Sequence, residues 1–372
     1  MGFTPPPYPY DRLNALRDLA VANFGSAIDC SIGTPCDAPP AAVLDMLGNS
    51  NAERGYPTSA GSVELRTAIS RYVERTFAVA IDADNVAACV GTKEFVASSA
   101  QYLHLKDPSK DTVLFPAVSY PTYAMGATLA GLRSLFVPVD EQGRPDLSAL
   151  AQDDIDRALL LWSNSPSNPT GALEDLAHVA NWGRSQGVPV FSDECYAEFT
   201  WEGRPRSILE SGLNGVVAVH SISKRSNLAG VRCGFYTGDP EFVQFLKGVR
   251  QHGGLMVPGP VQAAVAIAYN DDDHVQIQRD VYLRRLRMLA EALSLAGIPA
   301  EVPEGTFYLW VAVPSRFEHG WELAAMLAES TGLIVSPGDL YGDAGAGFIR
   351  IAVVVPDEQV ALVVERLASS SR

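Results

Sequence analysis

A lysine that directly follows a buried strand is the most reactive candidate in this sequence. Lys224 closes the segment His220-Ser221-Ile222-Ser223-Lys224, which comes after the apolar run 216–219. Lysine side chains usually remain in solvent, so one interpretation is a surface lysine at the end of a strand. The other is a desolvated lysine whose amine is nucleophilic and forms a Schiff base with an aldehyde or ketone.

Two polar segments precede this lysine. The segment 164–171, Asn-Ser-Pro-Ser-Asn-Pro-Thr-Gly, could be a simple turn before a helix. Its Asn168, held between prolines, would also present a fixed amide donor, and we expect a cis bond between Asn168 and Pro169. Asp193 opens a second segment, Asp-Glu-Cys-Tyr. It could cap a helix, or it could pair with a protonated ring nitrogen, as pyridoxal phosphate requires.

The middle of the chain predicts the elements that would position these residues. Four short runs are apolar at successive positions, and stretches of helical character such as 174–185 lie between them. Such runs are typical of parallel strands covered by helices on both faces. Because polar residues end three of the runs, we expect Ser163-Asn164, Ser192-Asp193 and His220-Ser221 to meet at the carboxyl edge of the sheet, where such sheets bind ligands. The runs lie at 112–115, 158–162, 188–191 and 216–219.

The character of the chain changes from about residue 275. A long helix over 279–295 and strands around 307–313 and 348–355 predict a smaller α+β domain. Near the other end of the chain, the proline-rich segment 5–10 cannot be helical, so it predicts an extended arm on a surface or on a partner subunit.

Arg350 lies among the apolar residues of the last predicted strand. An unpaired charge buried there would be costly. The arginine could lie at a sheet edge with its head in solvent. The alternative is a guanidinium that holds a substrate carboxylate through two N–H groups.

Composition excludes several functional classes. The chain has 372 residues, of which 47% are hydrophobic and 19% charged, so it is long enough for two globular domains. The net charge of -15 argues against a protein that binds nucleic acid.

The cysteines and the apolar runs indicate the cellular compartment of the protein and whether it holds a metal. Five cysteines without a CxxC motif argue against a disulfide framework or a zinc site, and the six histidines lack metal-ligand spacing. We find neither a signal peptide nor an apolar run long enough to cross a membrane. These features predict a soluble cytoplasmic protein that holds no metal.

Four motifs in a fixed order resemble the class I/II aminotransferases, pyridoxal-phosphate enzymes of the aspartate aminotransferase fold (fold type I). They are N-x-P-x-N-P-T-G, D-E-x-Y, S-x-S-K and the G-x-R that ends in Arg232. Within that family the sequence resembles the succinyldiaminopimelate aminotransferases of actinobacteria. The segments that carry the second resemblance are Gly33-Thr34-Pro35, Gly55-Tyr56-Pro57, Gly91-Thr92-Lys93-Glu94, Tyr120-Pro121-Thr122-Tyr123 and Phe348-Ile349-Arg350-Ile351-Ala352.

The resemblance implies an α/β fold with a large domain, built on a mostly parallel sheet, and a smaller α+β domain. The expected ranges are 1–40 for an N-terminal arm and part of the small domain, 41–260 for the large cofactor-binding domain, and 261–372 for the small C-terminal domain.

The resemblance also implies roles for the residues around the cofactor ring. Lys224 would hold pyridoxal 5′-phosphate as a Schiff base and act as the general base. Asp193 would pair with the pyridinium nitrogen, and Asn168 and Tyr196 would bind the phenolic oxygen of the ring. Tyr120 would stack on the ring, with Tyr123 as an alternative because of the unusual spacing before these tyrosines.

The cofactor phosphate and the substrate carboxylate would need further donors. The implied phosphate ligands are Thr92 and Lys93 at the start of a helix, Ser221, Ser223, Arg232, and Tyr56 of the partner subunit. Arg350 would bind the substrate α-carboxylate, Gly33 would let the backbone approach it closely, and Asn168 would contribute to the same subsite.

The implied reaction is a ping-pong transamination in which L-glutamate leaves as 2-oxoglutarate and an N-succinylated amino-oxopimelate accepts the amino group. The implied role of Tyr56 requires a homodimer. Three alternatives stay open: another amino acid such as LL-diaminopimelate or aspartate, a carbon–sulfur β-lyase on the same fold, and a non-catalytic binding or regulatory protein. The presence of Lys224, Asp193 and Arg350 disfavours the last of these.

Overall fold

The structure is a computed structural model that describes residues 3–370. These residues form twelve strands: β1 (Ile28–Asp29), β2 (Val86–Cys89), β3 (Thr112–Pro116), β4 (Arg133–Val137), β5 (Ala158–Asn164), β6 (Val190–Asp193), β7 (Val216–Ser221), β8 (Gly234–Gly238), β9 (Tyr308–Ala312), β10 (Leu333–Ile334), β11 (Ser336–Pro337) and β12 (Phe348–Ala352).

The same residues form thirteen α-helices: α1 (Asn14–Phe24), α2 (Ala41–Asn49), α3 (Val63–Phe77), α4 (Thr92–Lys106), α5 (Thr122–Leu129), α6 (Gln152–Asp156), α7 (Leu176–Gln186), α8 (Ile222–Arg225), α9 (Pro240–His252), α10 (Gly259–Tyr269), α11 (Asp273–Leu295), α12 (Gly320–Thr331) and α13 (Asp357–Ser370). None of the helices described in residues 3–370 is both long enough and apolar enough to cross a membrane.

The described residues group into two compact units. The large unit is Asp37–Asp280 with Glu304–Thr306, and the small unit holds the described residues up to Cys36, Val281–Pro303 and those from Phe307 onward. The sequence placed the two boundaries after residues 40 and 260. Helix α10 lies in the large unit because its apolar residues, such as Val265, join the core formed by α3 and the sheet.

The large unit is built on a seven-stranded sheet in the order β2-β8-β7-β6-β5-β3-β4. The pairs that join β3 to β7 are parallel, and β8 runs antiparallel to β2 and β7. The aspartate-aminotransferase-like α/β fold with a mostly parallel sheet is therefore confirmed.

Alternate residues of the central strands enter two different cores. In β5, Leu161 belongs to the core shared with α3, α7 and α10, whereas Leu160 and Trp162 belong to the core shared with α4, α5 and α9. This double burial explains why the strand sequences are apolar at successive positions.

The third predicted strand of the large unit was misplaced by two residues. We predicted 188–191, and the structure has Val190–Asp193. Gly187 ends α7 in the left-handed conformation, and the N–H of Val188 still donates to the Gly183 carbonyl (2.9 Å). Pairing therefore begins only at Val190, so Asp193 is the last residue of the strand rather than a residue beyond it.

The small unit has a three-stranded antiparallel sheet, β11-β12-β9, and a parallel pair, β1-β10. Strand β12 is central, and Arg350 faces Ser336 on one side and Trp310 on the other. Only 2% of Arg350 is exposed. The interpretation of Arg350 as an edge residue with a solvated head is therefore wrong.

The N-terminal arm is not extended throughout. A 3₁₀ helix covers Pro9–Leu13, so the expectation that 5–10 is wholly non-helical is wrong at its end. Pro9 is the first residue of that helix. A proline is tolerated at this position, because an N–H here would have no partner within the helix.

Candidate active site

The carboxyl edge of the large sheet brings the predicted polar residues together. Asn164, the last residue of β5, pairs in register with Asp193, the last residue of β6, and Asp193 pairs with Val219 of β7. Two residues after Val219, the Ser221 hydroxyl accepts the N–H of Ser223 (3.1 Å) and starts the one-turn helix α8. Lys224 lies in this turn, half-buried.

Asp193 is a buried acid with two donors. The Tyr123 hydroxyl donates to its Oδ2 (3.0 Å), and the N–H of Cys195 donates to Oδ1 (3.2 Å). Only 6% of the residue is exposed, and burial raises the pKa of this carboxyl although both hydrogen bonds act in the opposite direction. A carboxylate in such surroundings favours a cationic partner.

Asn168 lies between two prolines, and the peptide bond before each proline is cis. The bond between Asn168 and Pro169 is cis, as expected, and the bond between Ser165 and Pro166 is cis as well, which the sequence reasoning missed. Both Asn168 and Tyr196 are buried close to this edge, on the segments that follow β5 and β6.

The start of α4 forms a cradle with Arg232. Gly91 precedes the helix with φ +76, and a Cβ added there would lie 2.1 Å from Nη2 of Arg232. The Cys195 sulfur lies 3.3 Å from Oγ1 of Thr92 and joins this helix start to the segment after Asp193. Free helical N–H groups beside a guanidinium suit a dianion such as a phosphate ester. Lys93, in the first helical turn, has an exposed side chain.

The two candidate stacking tyrosines have different surroundings. Tyr123 is fully buried and lies parallel to Trp162, with 5.2 Å between ring centroids and 17° between planes. Tyr120 is half-buried and stands perpendicular to Tyr123 (5.8 Å, 86°). Tyr56, by contrast, is 98% exposed on the segment between α2 and α3.

In the small unit, Arg350 lies between two tyrosine rings. Its guanidinium carbon is 4.1 Å from the ring centroid of Tyr308 and 4.7 Å from that of Tyr341, and Nη2 donates to the Ser31 carbonyl (2.6 Å). Gly33 is buried, and a Cβ there would lie 2.0 Å from the Tyr308 hydroxyl. The sequence singled out Arg350 and Gly33 but neither tyrosine.

A buried ion-pair cluster behind Lys224 was also missed. Arg225, the next residue, is 2% exposed, and its guanidinium lies 3.0 Å from Glu198 and 2.6 Å from Asp272. It also donates to the Ala268 carbonyl (2.7 Å). Its neighbours in sequence, Lys224 and Ser226, are polar, so the sequence did not indicate that this arginine is buried. The contacts of Arg225 anchor α8 on the side away from solvent.

Glu174 was missed as well, and it clamps the end of β5. Its carboxylate accepts the Ser163 hydroxyl (2.5 Å) and the N–H of Asn164 (3.1 Å), while its own N–H donates to the Ser165 hydroxyl (3.1 Å). Burial raises the pKa of Glu174 to about 7.

This raised pKa predicts a pH-dependent stability. Between the ordinary value of 4.5 and about 7, the folded protein binds a proton that the unfolded chain has lost. The free energy of unfolding of the wild type therefore falls as pH rises through this window. The free energy of unfolding of Glu174→Gln lacks this dependence. From about pH 5 to pH 8 it should therefore rise relative to that of the wild type by on the order of 1–3 kcal/mol. Thermal melts across this range measure the trend.

The exposed Glu202→Gln serves as the control for that series. Parallel stability curves for wild type and Glu174→Gln at every pH would contradict the prediction.

Comparison with known proteins agrees with this geometry. The profile of the family "Aminotransferase class I and II" matches residues 27–367. The chain belongs to this family. A transaminase of Streptomyces rimosus, 4-dedimethylamino-4-oxo-anhydrotetracycline transaminase OxyQ, is 39% identical over 97% of this chain and 99% of its own length.

Two further similar proteins are named as diaminopimelate or succinyldiaminopimelate aminotransferases. LL-diaminopimelate aminotransferase of Aquifex aeolicus is 32% identical over 97% of this chain and 96% of its own. The solved structure of a probable N-succinyldiaminopimelate aminotransferase from Thermus thermophilus superposes with a TM-score of 0.88, at 29% identity, over 98% of this chain and all (100%) of that one.

Membership of this family makes pyridoxal 5′-phosphate the cofactor of this aminotransferase. The large unit fits it. The buried Asp193 suits a ring cation, and the cradle between Gly91 and Arg232, which a side chain at residue 91 would fill, suits a phosphate group.

Proposed function

We propose that this aminotransferase transfers the amino group of L-glutamate to an N-succinylated 2-amino-6-oxopimelate. The proposal rests on one juxtaposition above all: the buried Asp193 ends β6, and the half-buried Lys224 follows the neighbouring strand β7, at one edge of the sheet. The choice of acceptor is supported by the similarity to the Thermus thermophilus protein and to the LL-diaminopimelate aminotransferases.

In this proposal Asp193 pairs with the ring nitrogen of the cofactor, and Asn168 and Tyr196 donate to its phenolic oxygen. Burial raises the pKa of Asp193, and a pyridinium paired with it would favour the carboxylate form. Tyr120 stacks on the ring. Tyr123 instead acts on Asp193, because its hydroxyl donates to that carboxyl and its ring is stacked on Trp162.

The phosphate of the cofactor would lie at the start of α4. Its donors would be the N–H groups of the first turn of α4, the side chains of Thr92, Lys93, Ser221, Ser223 and Arg232, and the Tyr56 hydroxyl of the partner subunit. The last of these requires a homodimer, and the 98% exposure of Tyr56 leaves its side chain open to a second copy.

The cradle at Gly91 predicts the effect of one methyl group. Gly91→Ala places a Cβ 2.1 Å from Arg232 and should displace the guanidinium from the phosphate position. We expect the affinity of the apoenzyme for pyridoxal 5′-phosphate to fall about tenfold or more, because a charge-assisted hydrogen bond to phosphate is lost. Fluorescence titration with the cofactor measures this.

Gly131→Ala is the matched control. Gly131 also has a left-handed backbone (φ +70), but no atom lies within 4 Å of an added Cβ. It should lose stability from the backbone conformation alone and bind the cofactor as wild type does. Equal cofactor affinities in the two variants would refute the proposal that the phosphate binds between Gly91 and Arg232.

On the substrate side, Arg350 would bind the α-carboxylate, and the buried Gly33 of the same unit would let the backbone approach it closely. Asn168 would also contribute to substrate binding. When bound, the cofactor supplies an electron sink for the carbanion left when the Cα–H bond breaks. Lys224 Nζ would accept that proton from the amino donor and return one to Cα of the acceptor.

A panel of substrates tests the function. The protein with bound cofactor is incubated with glutamate and N-succinyl-2-amino-6-oxopimelate, oxaloacetate or aromatic oxo acids, and separately with LL-diaminopimelate and 2-oxoglutarate. We expect 2-oxoglutarate to be released fastest with the succinylated acceptor. Faster turnover of LL-diaminopimelate would refute the proposed succinylated acceptor. Release of pyruvate from cystathionine without transamination would refute the proposed transamination in favour of a β-lyase reaction.

A further inference from the structure

One amide connects two of the residues proposed to bind the cofactor ring, Asp193 and Asn168. Asn164 is 3% exposed and lies at the last position of β5. Its Oδ1 accepts the N–H of Asn168 (2.7 Å), and its Nδ2 donates to the carbonyl of Asp193 (2.7 Å). A single side chain therefore ties the segment of Asn168 to the backbone of Asp193.

Only a carboxamide makes both of these bonds. Aspartate lacks the donor that the Asp193 carbonyl needs, and serine is too short to span the two strand ends. The bonds are buried, so their loss would be costly, although the Asp193 carbonyl also accepts the N–H of Ser165 (3.3 Å). Hence the identity of residue 164 matters for the spacing of Asp193 and Asn168, although residue 164 need not touch the cofactor.

Glu174 fixes the backbone from which this amide projects. It binds the Ser163 hydroxyl and the N–H of Asn164 on one side and the Ser165 hydroxyl on the other. Three consecutive residues are thereby held by one glutamate at the start of α7, on a stretch with a cis proline and without strand pairing beyond Asn164.

We propose that Asn164 is a positioning residue that holds Asp193 and Asn168 at the spacing the cofactor ring requires, and that Glu174 secures Asn164 in place. This inference rests on the roles proposed above for Asp193 and Asn168. It predicts that substitutions at 164 and 174 change the properties of the bound cofactor and not only the stability of the fold.

The pH titration of the visible absorption of the bound cofactor tests this, since it reports the hydrogen bonds and charges around the ring. Asn164→Ala should shift the midpoint by about 0.5 pH unit or more and lower kcat about tenfold or more. KM for glutamate should change much less, because Arg350 is untouched. Retention of cofactor on dialysis should fall as well.

Asn85→Ala is the matched control. Asn85 is also buried, also in the large unit, and its Nδ2 also donates to a backbone carbonyl, that of Gly238, at 2.7 Å. This variant should lose comparable thermal stability and keep the wild-type absorption titration. If Asn164→Ala likewise loses only stability, the proposal is overturned.

Glu174 provides a second pair of variants if Asn164→Ala does not fold. Glu174→Gln retains an oxygen for the N–H of Asn164 and should titrate close to wild type, whereas Glu174→Ala should shift the midpoint in the direction of Asn164→Ala. Identical titrations of Glu174→Ala and wild type would overturn the role of Glu174. A wild-type protein that binds the cofactor and does not transaminate would instead refute the proposed function, so the two failures are distinguishable.

Discussion

Lys224→Ala is expected to lose transamination by a factor of about a thousand or more while the fold survives. The residue lies in the single turn of α8, which Ser221 caps at one end and the buried Arg225 anchors at the other. The backbone of this turn is held by the Ser221 cap and by the contacts of Arg225. The substitution therefore removes the amine and leaves the turn.

Two measurements separate loss of chemistry from loss of structure. Borohydride treatment of the wild type with its cofactor should attach the cofactor to the peptide that contains residue 224, and the same treatment of Lys224→Ala should leave that peptide unmodified. Circular dichroism and the melting temperature should stay close to wild type.

Lys247→Ala is the control for this prediction. Lys247 is also half-buried in the large unit, its ammonium donates to the Asp84 carbonyl (2.9 Å), and burial lowers its pKa. A depressed pKa alone would make it reactive too. If borohydride labels residue 247 in place of 224, or if Lys224→Ala retains near-wild-type turnover, Lys224 is not the residue that binds the cofactor.

The edge of the large sheet could be predicted from sequence because the signal is local. Runs that are apolar at successive positions indicate strands covered on both faces, and three of the four runs end in polar residues such as Asn164 or Asp193. Parallel pairing then places these ends together without any knowledge of the packing. The predicted bounds of β6 were wrong by two residues, but Asp193 lies at the carboxyl edge of the sheet under either set of bounds.

Contacts between distant segments could not be predicted in the same way. Tyr123 and Asp193 are 70 residues apart in sequence. Tyr341 lies near Arg350, and the segment between them holds a short 3₁₀ helix that no periodicity predicts. The clamp at Glu174 lies only ten residues from Asn164, but its sequence, Leu-Glu-Asp-Leu, is typical of a solvated helix start. A charged side chain that faces inward looks the same in sequence as one that faces water.

Arg350 carries the second large prediction. Its guanidinium lies between two aromatic rings in a central strand and bonds the Ser31 carbonyl, so its position is fixed before any substrate binds. A fixed, planar group with two parallel donors suits a carboxylate. Arg350→Lys retains the charge and loses the planar fork, and Arg350→Met loses both.

We expect kcat/KM for glutamate and for the oxo acid to fall about 100-fold in Arg350→Lys and about 1000-fold in Arg350→Met, which corresponds to about 3–4 kcal/mol of lost transition-state binding. KM should rise in both half-reactions, because every amino acid and oxo acid that the enzyme uses carries the same α-carboxylate. Amines that lack a carboxylate should react equally slowly with variant and wild type.

The same unit offers a closely matched control, because Arg366 also lies over an aromatic ring, that of Phe24 at 4.0 Å, and also donates to a backbone carbonyl, that of Thr331 at 2.7 Å. Arg366→Met removes the same kinds of contact and should reduce stability without raising KM. If Arg350→Met and Arg366→Met reduce stability alike and leave KM alike, the buried arginine of β12 is structural, and the carboxylate must be bound elsewhere. A rise in KM confined to Arg350→Met places the substrate carboxylate at its guanidinium.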